Sequence, residues 1–85
     1  MNFGQAIEAL NEGKRVQRQG WNGKGMHIYK EDMFVFPLKV PKDINPAIKR
    51  TYEPCIILFT AQGTHQPGWN ASTSDVFAND WQIVE

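Results

Sequence analysis

Six consecutive residues, Cys55-Ile56-Ile57-Leu58-Phe59-Thr60, are apolar at every position but the last, and they constrain the fold more than any other stretch of the chain. Pro54 precedes them and a turn-like Ala61-Gln62-Gly63-Thr64 follows. Such a run reads as a strand lying centrally in a sheet or covered on both faces. The chain must therefore build a sheet around it. With 85 residues the whole chain, 1–85, is expected to make one domain, and a domain of this size buries only about 60–65% of its unfolded surface. The single cysteine, Cys55, excludes an intramolecular disulfide, and no Cys/His spacing suggests zinc or another metal site. Self-association is left as the expected source of extra burial, so a homo-oligomer is predicted.

The other elements follow from local pattern. Phe3, Ala6, Ile7 and Leu10 recur at helical spacing, with Asn2 as N-cap and Gly13 as terminator, predicting an amphipathic helix of about three turns. Residues 14–19 read as a short strand with Val16 inward and Arg15 and Gln17 outward. Met26-His27-Ile28-Tyr29 alternates and reads as the return strand of a hairpin. From residue 30 to 54 four prolines interrupt the pattern, predicting a long irregular excursion with at most one short strand, of the kind that is functional or interfacial. Residues 65–69 read as a weaker partner for the apolar strand. Ser72 or Thr73 can cap a short helix through Asp75, Val76, Phe77 and Ala78, and residues 80–84 close as a strand with Trp81 and Ile83 on one face. The expected fold class is α+β: an N-terminal amphipathic helix packed on a small, mostly antiparallel sheet, with a short second helix near the C-terminus.

Composition excludes some function classes. Nine basic and nine acidic side chains cancel, so no global field recruits a nucleic acid polymer or an anionic membrane. No apolar run approaches the ~20 residues that span a bilayer, and the first residues lack a secretion pattern, so a cytoplasmic protein is expected. Catalytic chemistry finds no recognisable set. His27, His65, Cys55, Asp75 and Asp80 are the candidates; the two histidines are expected at the solvated surface and Cys55 as a small buried hydrophobe. The spacing of Gly20, Gly23 and Gly25 fits neither the dinucleotide fingerprint nor the Walker pattern.

Two segments nevertheless look built for a ligand. Gly20-Trp21-Asn22-Gly23-Lys24-Gly25-Met26 combines glycine-freed backbone N–H groups, a lysine and a tryptophan, which suits a loose anion site. The triplet Gly68-Trp69-Asn70 then leads into Ser72-Thr73-Ser74, three hydroxyls at a helix start that could meet phosphate or ribose oxygens. Trp81, alternating with Ile83, is assigned to the core.

These residues carry a resemblance. Met1-Asn2-Phe3-Gly4 with Ala6, Gly13-Lys14 with Val16, the block at 20–26, Pro54, Thr60-Ala61 with Gly63, Pro67-Gly68-Trp69, Ala71-Ser72, Asp75 and Asp80-Trp81 with Ile83-Val84-Glu85 resemble the Thoeris anti-defence proteins of the second described type, a family of small phage proteins. The blocks around the three tryptophans are its specific part. The resemblance implies a homotetramer that sequesters cyclic nucleotide immune signals, chiefly glycocyclic ADP-ribose isomers, and in some members cyclic dinucleotides. It implies that the ligand is held intact at subunit interfaces in an infected bacterial host, with no catalytic residue and no cofactor. Trp21 and Trp69 would wall the site, Asn22 and Asp75 would bond base edges or ribose hydroxyls, and Lys24 with Ser72, Thr73 and Ser74 would hold phosphate oxygens. Gly23, Gly25 and Met26 complete the expected set. The chain departs from the family at Asn70 and Thr73, where leucine and glutamine are common, which leaves ligand choice open.

Nanomolar sequestration needs about −12 kcal/mol. One base stacked on an aromatic ring supplies roughly 1–3 kcal/mol, so charge-assisted hydrogen bonds must carry much of the rest, with Lys24, Arg15 or Arg18 and the 72–74 cluster as donors. Two rival readings remain: an enzyme that cleaves the same signals, and a protein-binding module that presents Phe34, Val35, Phe36 and the tryptophans.

Overall fold

A computed structural model describes residues 1–21, 25–32 and 53–85. Its elements run α1 (Phe3–Asn11), β1 (Arg15–Arg18), β2 (His27–Glu31), β3 (Cys55–Phe59), β4 (His65–Pro67), α2 (Thr73–Phe77) and β5 (Trp81–Val84). Among the described residues, five strands form one antiparallel sheet in the order β4-β3-β2-β1-β5. The α+β architecture read from the sequence is the one observed.

Helix α1 is nine residues long, too short to persist alone in water, so its end groups and its packing hold it. Asn2 accepts from the Gln5 backbone N–H at 2.8 Å, and Gln5 returns the bond to Asn2 N–H at 2.9 Å, closing a capping box. Its buried residues Ala6, Ala9 and Leu10 lie on Val16, Ile28 and Trp81 to form the core cluster. Two small residues on that face let the helix approach β1 and β5 closely.

Register explains which side chains share that core. Val16 pairs with both Ile28 and Ile83, Ile28 pairs with Leu58, and Arg18 pairs with Trp81. These residues therefore point to the α1 side of the sheet. The alternate set, which includes His27, Tyr29, Ile57 and Phe59, points to the other side. The apolar run is thus apolar because both of its faces are used. β3 is internal, between β4 and β2, but β2 is the middle strand, and of the β3 residues only Ile57 is fully buried. The sheet centre is displaced because β5, arriving from α2, adds beyond β1.

Several local expectations need correction. β2 runs on to Glu31, two residues past the predicted end, because Lys30 and Glu31 still pair with Ile56 and Cys55. β4 stops at Pro67, since Gly68 takes a left-handed φ of 84° that only glycine adopts without strain. That bend aims the N–H groups of Gly68 and Trp69 at the single carbonyl of Ile56, each at 3.0 Å. His27 is not at the surface: it is 8% exposed, stacked on Phe59 with centroids 4.9 Å apart, and its Nδ1 lies 2.8 Å from the Gly25 carbonyl. The alternation that made it look solvated puts it on the face that also holds the buried Ile57. His65 is exposed as expected, with Nδ1 2.8 Å from the Tyr29 hydroxyl. Cys55 is half-buried rather than buried, in the wall of a cavity of about 190 Å³ beside Ile7 and Leu10. The excursion predicted between 30 and 54, with Phe34, Val35 and Phe36, falls mostly outside the described residues.

Candidate functional site

The two Gly-Trp segments, 48 positions apart in sequence, meet in space. Trp21 and Trp69 have centroids 6.2 Å apart with ring planes at 64°. Both rest on Trp81, Trp21 at 5.5 Å and 79° and Trp69 at 6.1 Å and 87°. Trp81 is the buried base of this triad at 2% exposed, while Trp21 and Trp69 are half-buried and present aromatic surface outward. Edge-to-face contacts of this kind contribute about 0.5–1.5 kcal/mol each beyond burial. The indoles are therefore mutually braced within the chain.

Three local devices bring them together. β1 follows β5 closely at its end, where Gln19 N–H donates to the Asp80 carbonyl at 3.1 Å and Trp21 N–H to the Arg18 carbonyl at 3.2 Å. The left-handed Gly68 turns Trp69 off the end of β4. The Trp81 indole N–H donates to the Asp75 carbonyl at 3.0 Å, which ties α2 to the triad.

Helix α2 begins with its own capping box. The Ser72 hydroxyl accepts from Asp75 N–H at 3.2 Å, and the Asp75 carboxylate Oδ2 accepts from Ser72 N–H and from its hydroxyl, both at 2.9 Å. The other carboxylate oxygen takes the Arg18 guanidinium at 3.0 Å, and Arg18 Nε reaches Asp80 at 2.9 Å. Burial works to raise the Asp75 pKa, but the bonds from Ser72 and Arg18 outweigh it and hold the carboxyl below its ordinary value. Asp80 is lowered chiefly by its bond to Arg18, and Arg18 is raised chiefly by Asp80 and then Asp75. Two carboxylates held ionised cannot act as the acid of an acid–base pair near neutral pH.

This geometry sorts the predicted site residues. Trp21, Trp69 and Asp75 are brought into one region around Trp81. Thr73 and Ser74 are exposed at the start of α2, free to face outward, whereas the Ser72 hydroxyl and the Asp75 carboxylate are engaged within the chain. Gly25 is exposed and Met26 half-buried at the entry to β2. Asn22, Gly23 and Lys24 lie outside the described residues. Of the two arginines considered as phosphate donors, Arg18 is already matched by two carboxylates, and Arg15 is exposed in β1 opposite Val84. Sequence reasoning missed the bridging role of Arg18 and the bracing role of Trp81. Register puts both on the Val16 side of the sheet, but nothing local announces a partner 57 or 62 residues away.

Comparison with known proteins adds two findings. The family model of the Thoeris anti-defense 2-like domain matches residues 1–84. The chain is also 32% identical over 84 residues to Thoeris anti-defense 2 of Bacillus phage SP01, a match spanning 99% of this chain and 94% of that protein. The matched span takes in every element from α1 to β5.

Proposed function

The chain belongs to the Thoeris anti-defense 2-like family, which supports a phage anti-defence role, and on that premise we propose that it binds a cyclic nucleotide immune signal and sequesters it without cleavage. The signal class is a glycocyclic ADP-ribose isomer, with cyclic dinucleotides as a second class, and the setting is the cytoplasm of an infected bacterium. The observation that carries this reading is the braced pair Trp21 and Trp69, two half-buried indoles from separate turns seated on one buried tryptophan.

Their angle favours one way of holding a nucleotide. A base sandwiched between two rings needs parallel planes about 7 Å apart, twice the ~3.5 Å contact distance. Planes at 64° with centroids at 6.2 Å form a corner instead. A base stacks on one wall, and a ribose or second ring leans on the other. A compact, ring-closed nucleotide suits a corner better than an extended one. Lys24 and the hydroxyls of Thr73 and Ser74 supply the anion contacts, Asn22 a polar edge, and Gly23, Gly25 and Met26 further ligand contacts. Ser72 and Asp75 hold the wall rather than the ligand. Among the described residues the corner is only half-buried; a second copy in a homotetramer closes it, and closure raises the strength of every polar contact inside.

Calorimetric titration with a glycocyclic ADP-ribose isomer, repeated with a cyclic dinucleotide, tests this reading. Tight binding by the parent and weak binding by Trp21→Ala supports the corner. Equal affinity of the two proteins for every nucleotide removes it.

A second reading has one observation in its favour. Phe77 on α2 is 78% exposed beside an exposed Val76, the kind of apolar pair that marks a protein contact. A protein-binding module predicts no nucleotide effect on melting temperature.

A further inference from the structure

We propose that Arg18 is a positioning residue that sets the corner between Trp21 and Trp69, and that it does so without touching the ligand. The proposal rests on the nucleotide-site reading, but its first readout needs no nucleotide.

Arg18 is the point where the three parts of the region join. Its carbonyl accepts from Trp21 N–H, tying Trp21 to the end of β1. Its Nη1 holds Asp75, whose other carboxylate oxygen binds Ser72 and whose carbonyl receives the Trp81 indole N–H. Its Nε holds Asp80, the residue immediately before Trp81. The side chain is 23% exposed, enough for solvent to reach and too little for it to swing freely. Opposite Trp81 in register, it is also the only described arginine that pairs with an acid.

Chemistry favours a support over a ligand contact. Two carboxylates facing one guanidinium leave the group no net positive charge to offer a phosphate, and two of its N–H groups are already in use. The planar fork matters, because Nε and Nη1 reach two acids in fixed directions. An ammonium is a point charge that can serve one acid well but cannot hold both at these distances and angles. Loss of the fork frees α2 and the turn before β5, and the indole that depends on each shifts.

The test reads the tryptophans directly. Three indoles within 6.2 Å of one another couple strongly and give a near-ultraviolet circular dichroism signal that depends on their angles. Arg18→Met and Arg18→Lys are expected to lose at least half of that signal with the far-ultraviolet spectrum retained. Both are expected to weaken binding of a glycocyclic ADP-ribose isomer by about 10-fold or more, with the salt dependence of binding unchanged. If Arg18→Met does not fold, Arg18→Ala with millimolar guanidinium replaces it. Guanidinium is expected to restore the tryptophan signal and an alkylammonium ion at the same concentration is not. An unchanged near-ultraviolet signal in Arg18→Lys, or rescue by both cations alike, overturns the proposal. An altered signal in Arg18→Lys together with a parent that binds no nucleotide supports the positioning role and refutes the ligand assignment instead.

Discussion

Replacing Trp81 by phenylalanine removes the base on which the other two tryptophans rest, and the structure sets the size of the effect. The indole is 2% exposed and donates its N–H to the Asp75 carbonyl at 3.0 Å. Phenylalanine leaves a void on the order of 40 Å³, which at about 24 cal/mol per Å³ costs about 1 kcal/mol. The carbonyl that loses its buried donor adds about 1 kcal/mol, the low end of the range because Ala78 N–H also approaches it, at 3.4 Å. Weakened edge contacts to Trp21 and Trp69 add about 0.5 kcal/mol each. The total is about 3 kcal/mol, and for a domain of this size each kcal/mol moves the melting midpoint by roughly 4–8 °C. Thermal unfolding followed by far-ultraviolet circular dichroism is therefore expected to show a drop of roughly 12–24 °C. Trp21→Phe, at a half-buried ring, is the control and is expected to shift by a few degrees. A drop for Trp81→Phe no larger than that of the control refutes the view that Trp81 braces the site.

Other outcomes follow from the same geometry. Ser72→Ala removes the N-cap of α2 and is expected to cost about 1 kcal/mol, whereas Thr73→Ala, at an exposed residue, should stay within about 0.5 kcal/mol; thermal melts distinguish them. Trp21→Ala is expected to weaken nucleotide binding by roughly 5- to 150-fold, the equivalent of one aromatic stack, measured by calorimetry. The Asp75 and Asp80 carboxyls are held below their ordinary pKa, of about 3.9 unfolded. Their contribution is thus full above that value and is lost as pH falls through the folded pKa values. The parent is expected to lose melting temperature more steeply below about pH 4 than the Asp75→Asn, Asp80→Asn double variant, and equal slopes would contradict the Arg18 bridge.

The parts of this protein written in short-range pattern were readable. Asn2 and Ser72 cap helices three residues ahead of their partners, and the alternation of Val16, Ile28 and Trp81 marks strands with a buried side. Pairings across long stretches of chain leave no such mark. The addition of β5 beyond β1 is decided by packing under α1, so the apolar run at 55–60, read as central or covered on both faces, forms an internal strand one place off centre. His27 shows the limit of a period-2 pattern: alternation divides a strand into two faces but does not say that the second is open. The site was legible as two Gly-Trp turns, each suggesting a ligand surface. That they form one corner, with Arg18 and Trp81 behind it, depends on contacts 48 to 62 positions apart that no local signal encodes.

The most direct measurement of sequestration is the fate of the ligand. The purified protein is incubated with a glycocyclic ADP-ribose isomer, stripped of free nucleotide, heated to unfold the protein, and the released compound analysed by chromatography and mass. A sponge returns the nucleotide unchanged in proportion to the protein present. A linear or hydrolysed product would identify a cleaving enzyme, and recovery of no nucleotide from the stripped protein would contradict binding itself.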